Sequence, residues 1–202
     1  MHRCFTVLGL LAALSASTEH ALGAVSVSLT PSIAAISSSG GTVTFTGSID
    51  GDPGDALVGY DLFIDIVGLD LDDAGPISIT NQVPLTAFDL PSTTLPADGR
   101  DIGFGGANLF SVPIPIDAPT DLFSFDAVFS ALPIGQTFDF EFDTQAIGSG
   151  ITVNGSDLDL STDVAFSGGS VTVIPEPSPA LALGLVIFHV ALRVRRRCVS
   201  KR

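Results

Sequence analysis

The side chains with chemical reach in this sequence are carboxylates, and they come in clusters. Asp50, Asp52 and Asp55 share one short stretch, Asp70, Asp72 and Asp73 a second, and Asn154, Asp157, Asp159 and Asp163 a third. Hard oxygen donors at such spacing suit calcium. None of the clusters follows the EF-hand pattern: Gly51 stands between Asp50 and Asp52, and no Glu closes the loop. Asp and Asn also favour turns by bonding to nearby backbone. Each cluster is therefore a weak calcium candidate or ordinary turn chemistry; the candidates carried forward are Asp50, Asp52, Asp55, Asp70, Asp72 and Asp73. Paired carboxylates also serve glycoside hydrolysis. Among this many acids some pair approaches by chance, and the aromatics that line sugar clefts are scarce, with no Trp and one Tyr, Tyr60.

What is missing narrows the chemistry further. His2, His20 and His189 and both cysteines, Cys4 and Cys198, lie outside residues 25–173. That stretch has no Ser-His-Asp triad, no thiol nucleophile, no His-ligated zinc site and no disulfide. No enzyme and no cofactor are expected, calcium excepted. The same stretch holds nineteen Asp, one Glu and one basic residue, Arg100, a formal charge of −19 that the whole-chain value of −14 conceals. Such a surface repels nucleic acid, which needs Lys and Arg to displace its counterions. It suits divalent cations, basic partners or solubility through self-repulsion.

The elements that would position these acids are strands. Gln136 to Asp143 alternates strictly, placing Phe138, Phe140 and Phe142 inward and Asp139, Glu141 and Asp143 outward. Phe123, Phe125, Ala127 and Phe129 share one face of another strand, and Leu62, Ile64 and Ile66 share one face of a third, opposite Asp61 and Asp65. Thr42 to Thr46 alternates as well. Gly and Pro clusters at Asp50–Gly54, Ala74–Pro76, Leu132–Gly135 and Gly148–Gly150 punctuate these runs. No stretch keeps a helical period over three turns. The pattern predicts an all-β fold, a single antiparallel β-sandwich across residues 25–173, with a long loop and short strand fragments over Asn81 to Asn108.

The two ends read as addresses. Met1-His2-Arg3, an apolar stretch from Phe5 to Ala16 and the small residues after it form a signal peptide over residues 1–24, cut between Gly23 and Ala24 or after Ala24. Residues 174–179 form a rigid, extended element around Pro175, Glu176 and Pro177, because each proline fixes φ and removes a donor. Residues 180–192 are apolar and make a short transmembrane helix. Arg193, Arg195, Arg196 and Arg197 open a basic tail, residues 193–202, that belongs on the cytoplasmic side.

In that order, motif, apolar run and arginine cluster, the tail resembles the PEP-CTERM sorting signal of Gram-negative bacteria. The resemblance implies recognition by an exosortase, a membrane-embedded protease or transpeptidase, with cleavage near Pro175-Glu176-Pro177 and release or transfer at the cell exterior. The strand spacing from Val25–Leu29 through Thr42–Ile49 and Leu57–Asp65 to Leu122–Leu132 and Phe138 is similar to the cohesin-like sandwiches; an immunoglobulin-like sandwich of another family stands beside it. Together these imply an exported, non-enzymatic protein of the cell envelope or extracellular matrix, associated with exopolysaccharide or biofilm. The alternative is a cohesin-like module binding a protein or glycan at the cell surface.

Overall fold

The structure, a computed structural model, describes residues 25–67, 75–94 and 102–176. Alternation decides which stretches become strands. In β1 (Val25–Pro31) Val25, Val27 and Leu29 are buried; β2 (Ala35–Ser37) contributes Ile36; β3 (Gly41–Asp50) contributes Val43, Phe45 and Ile49. β4 (Ala56–Ile66) buries Leu57, then Tyr60, Leu62, Ile64 and Ile66, its parity shifting by one where Leu57 and Gly59 face consecutive residues of a neighbouring strand. The rest are β5 (Ile77–Pro84), β6 (Leu90–Thr94), β7 (Ile102–Ala107), β8 (Ile114–Pro115), β9 (Thr120–Phe129), β10 (Thr137–Phe142), β11 (Gly150–Val153), β12 (Ser156–Asp157), β13 (Val164–Ser167) and β14 (Gly169–Ile174).

Two sheets face each other. One runs β13-β1-β3-β9-β5; the other runs β12-β11-β4-β10-β14-β2, with β7 and β8 also on β4 and β6 on β7. The expected all-β sandwich is present, but it is not purely antiparallel. β1 pairs β13 in parallel, and β14 pairs β2 in parallel. The reason lies at both ends of the domain. The first strand leaves one sheet at Pro31 and continues in the other as β2; the last strand makes the same crossing at Gly168, between β13 and β14. Each half of the first strand thus meets a half of the last, running the same way. The crossing is tight: a Cβ on Gly169 would lie 2.8 Å from the Leu29 carbonyl oxygen, and one on Gly168 would overlap the Phe140 carbonyl.

The stretch expected as a long loop with short strand fragments, Asn81 to Asn108, holds more strand than that. It contains the end of β5, then β6 and β7, and β7 pairs with β4 over six residues, from Gly59–Ala107 to Ile64–Ile102. Its outward positions are glycines, so no polar residue alternates with Ile102 and Phe104. The signal helix and the transmembrane helix expected from the sequence fall on residues outside the described ones, among which no helix is long and apolar enough to cross a membrane.

Phenylalanine fills the space between the sheets. Phe104 stacks on Phe123 at 4.0 Å, Phe45 packs against Phe140 at 4.2 Å and against Phe125 at 5.2 Å, and Phe129 meets Phe138 at 5.5 Å. Burying each such ring stabilises the fold by about 1.5–3 kcal/mol before entropy is counted. Phe142, at the end of its strand, is half-buried and pairs with Phe166 instead.

Candidate functional site: a carboxylate-clamped apolar loop

The first acidic cluster turns out to be a lock between two loops. Asp55 is buried at 8 % exposure. One carboxylate oxygen accepts the Asp52 N–H at 3.1 Å, and the other accepts from Asn154 Nδ2 at 2.9 Å. Asn154, in the left-handed region at φ 52°, accepts the Ala56 N–H through Oδ1 at 3.0 Å and donates its own N–H to the Ala56 carbonyl at 2.9 Å. Asn154 thus joins the first cluster rather than Asp157, Asp159 and Asp163. Those three serve local turns: Asp157 takes the Thr152 hydroxyl, Asp159 takes the Ser161 hydroxyl and N–H, and Asp163 takes the Asp159 N–H. The Ser161 hydroxyl and then its N–H hold Asp159 below the usual carboxylate range. Among the described residues no three His, Cys, Asp or Glu side chains come together in a way that could hold a metal ion. Asp70, Asp72 and Asp73 lie outside the described residues.

The strongest site was not singled out by sequence. Asp89 precedes β6, and its Oδ2 accepts three successive N–H groups, from Leu109 at 3.1 Å, Phe110 at 2.8 Å and Ser111 at 2.8 Å. Its Oδ1 accepts the Ser111 hydroxyl. That hydroxyl first, then the backbone N–H groups of Phe110, Ser111 and Leu109, pull the Asp89 pKa down to about 2. Asn108, buried, closes the arrangement from the other side by accepting the Asp89 N–H at 3.2 Å through Oδ1. Four donors on one carboxylate fix the backbone of the loop between β7 and β8.

What this backbone displays is apolar. Phe110 is 92 % exposed and Val112 84 %; Leu109, Leu90 and Leu85 are also exposed. Five of the eleven exposed large hydrophobics among the described residues thus sit on the two short segments that Asp89 ties together. Scattered exposed apolar side chains need no explanation; here nearly half of them fall on one pair of joined segments.

The outward face of the larger sheet is the acidic one. Asp61 on β4 stands opposite Gly105 of β7, and Asp65 opposite Glu141 of β10. Desolvation pushes the Asp61 carboxyl up. Burial, and then the Asp61 charge, push the Tyr60 phenol up, and its hydroxyl lies in the core without a hydrogen-bond partner.

At the far end of the sandwich the chain leaves β14. Pro175 and Glu176 are described, and Glu176 accepts the Ser37 hydroxyl at 3.1 Å; the Ser39 hydroxyl, then that of Ser37, hold its pKa below the usual range. Pro177, Arg193, Arg195, Arg196, Arg197, Gly23 and Ala24 lie outside the described residues.

No known protein-family profile matches the chain, and no curated protein matches it. Solved structures do. A third cohesin of ScaC from Acetivibrio cellulolyticus, solved with the ScaB dockerin, aligns with TM-score 0.58 at 10 % identity over 74 % of this chain and 99 % of its own. A cohesin from Clostridium thermocellum, Coh-OlpA, solved with Doc918, aligns with TM-score 0.54 at 12 % identity over 74 % and 99 %. The seventh ScaB type I cohesin from Pseudobacteroides cellulosolvens aligns with TM-score 0.53 at 15 % identity over 75 % and 94 %. The fold is a cohesin-like β-sandwich.

Proposed function

We propose that this chain is an exported, non-enzymatic binding module of the cell surface that recognises a protein partner through the Leu109–Val112 loop. The observation that carries the reading is the Asp89 clamp, which orders a backbone whose side chains stay bare. Ordering a loop before binding removes an entropic cost at the moment of contact, and a buried aromatic anchor is the commonest centre of a protein interface. Two of the structural neighbours were solved with a dockerin bound, which supports a protein partner for this shape of domain. Export rests on the signal peptide at residues 1–24. The tail fits sorting by an exosortase at Pro175-Glu176-Pro177, after transient anchoring through residues 180–192.

The test uses the full-length protein as bait on cell-surface extracts, wild type beside Phe110→Ser. A binding module retains one defined protein with the wild type and loses it with the variant at unchanged thermal stability. Co-fractionation with exopolysaccharide instead, equal for both forms, would favour the matrix role over this one. Processing is tested separately: replacing Glu176 and both flanking prolines leaves a longer, membrane-retained form if an exosortase acts there.

A further inference from the structure

The binding loop and the chain exit lie at opposite poles of the sandwich. On β4, Gly59 stands opposite Ala107, just before the loop, and Ile66 stands opposite Phe140. Phe140 in turn faces Gly169 of β14, which runs on to Ile174 in the direction of β4. The register therefore puts twelve residue steps between the start of the Leu109–Val112 loop and Ile174, seven along β4 and five along β14. At ~3.3 Å per step this is roughly 40 Å. Backbone bonds fix both poles. Asn108 N–H donates to Val58 O at 2.8 Å and Gly51 N–H to Ile116 O at 2.6 Å at one; Ser38 N–H donates to Ile174 O at 3.1 Å and Gly135 N–H to Val173 O at 2.8 Å at the other. The N-terminal residue of β1 also lies at the loop pole, since Ser26 pairs with Asp50.

Only five residues, 175–179, join Ile174 to the apolar run that starts at Ala180. A chain of that length reaches about 17 Å fully extended, less than half the length of the domain. The exit pole stays within that reach of the surface that holds the tail, and a domain standing on so short a stalk carries the loop pole away from it. The occupant is constrained by charge as well. Residues 25–173 carry −19, and the loop adds no charge of its own beyond Asp89, whose carboxylate already faces four donors.

We propose that Leu85, Leu90, Leu109, Phe110 and Val112 form an outward-pointing contact for a separate protein, not embedded in the same membrane, whose apolar pocket is rimmed with basic residues. This rests on the reading of the domain as a protein-binding module, applied to the form still anchored through residues 180–192 before processing, and adds the direction and chemistry of its partner.

Two arms test it, both on the full chain reconstituted in phosphatidylcholine vesicles. Residues 25–176 hold no cysteine, so with Cys4 and Cys198 replaced by Ser a single Val112→Cys or Ile134→Cys takes one fluorescent label. Nitroxide on the lipid headgroups should quench the label at 134 and leave that at 112 bright. Equal quenching overturns the orientation; failure to float with vesicles overturns the tether itself, and so is told apart from it. In the second arm an amphipathic Leu/Lys peptide is titrated against a Leu/Glu peptide of equal length. The Leu/Lys peptide should bind wild type, weaken with salt, and bind Phe110→Ser at least about tenfold more weakly. Equal binding to Phe110→Ser would overturn the loop as the contact, and binding of the Leu/Glu peptide would overturn the basic rim.

Discussion

The carboxylate of Asp89 accepts the Phe110 N–H at 2.8 Å, while the Phe110 ring, on the same residue, touches almost nothing. Backbone order and side-chain exposure are thus separated at one position. The loop is held from across a gap of about twenty residues in sequence, by a group that contributes nothing to the core.

The clamp gives a pH dependence with a definite sign. A carboxylate held near pKa 2 in the folded state, against ~3.9 when unfolded, contributes stability that is complete above the unfolded value and is lost as the pH falls through the folded one. Amide protection at Leu109, Phe110 and Ser111, taken relative to the unstructured rate at each pH, should hold from neutral pH to about 4 and fall toward pH 2, the clamp opening without global unfolding. In Asp89→Asn the same amides should have little protection at neutral pH and show no such transition.

The Asp55–Asn154 lock predicts a larger effect on global stability. Asp55→Ala leaves Asn154 Nδ2 and the Asp52 N–H without their acceptor at a part-buried site, a loss of about 1 kcal/mol. Urea unfolding measures it. Because the Asp55 carboxylate already holds these two donors, melting temperatures with calcium and with chelator should coincide; a clear rise with calcium would restore the turn at Asp50, Asp52 and Asp55 as a metal site.

The double crossover is tested by one methyl group. Gly169→Ala puts a Cβ 2.8 Å from the Leu29 carbonyl oxygen and 3.1 Å from the Phe45 ring, so backbone or core must shift, at a cost of about 1–3 kcal/mol. Gly150→Ala meets nothing within 4 Å and is the control. Equal denaturation midpoints for the two would contradict the close approach of β14 to β1.

The sandwich was legible where alternation is strict. Phe123, Phe125, Ala127 and Phe129, and Leu62, Ile64 and Ile66, all face the core as their spacing predicts. Three things were not legible. β7 hid because glycines occupy the positions where polar residues would mark a strand, and β6 because Pro91 interrupts it. The parallel pairs β1–β13 and β14–β2 join opposite ends of the domain, which local pattern does not reach. The clamp hid because an Asp before one strand and an apolar stretch after another have no sequence link; the one available signal is Leu109-Phe110-Ser111-Val112-Pro113, an apolar stretch that breaks alternation and ends in proline, where no strand could bury it.

The most direct measurement places a photo-crosslinking phenylalanine analogue at position 110 in full-length protein on its native cell surface, with the same analogue at Ile147, equally bare but on another turn, as the control. Crosslinking from 110 should give one defined protein adduct, competed by added wild-type domain and not by Phe110→Ser, with no such adduct from 147. The same adducts from both positions, or none from 110 under conditions where 147 crosslinks, would contradict a binding module that works through this loop.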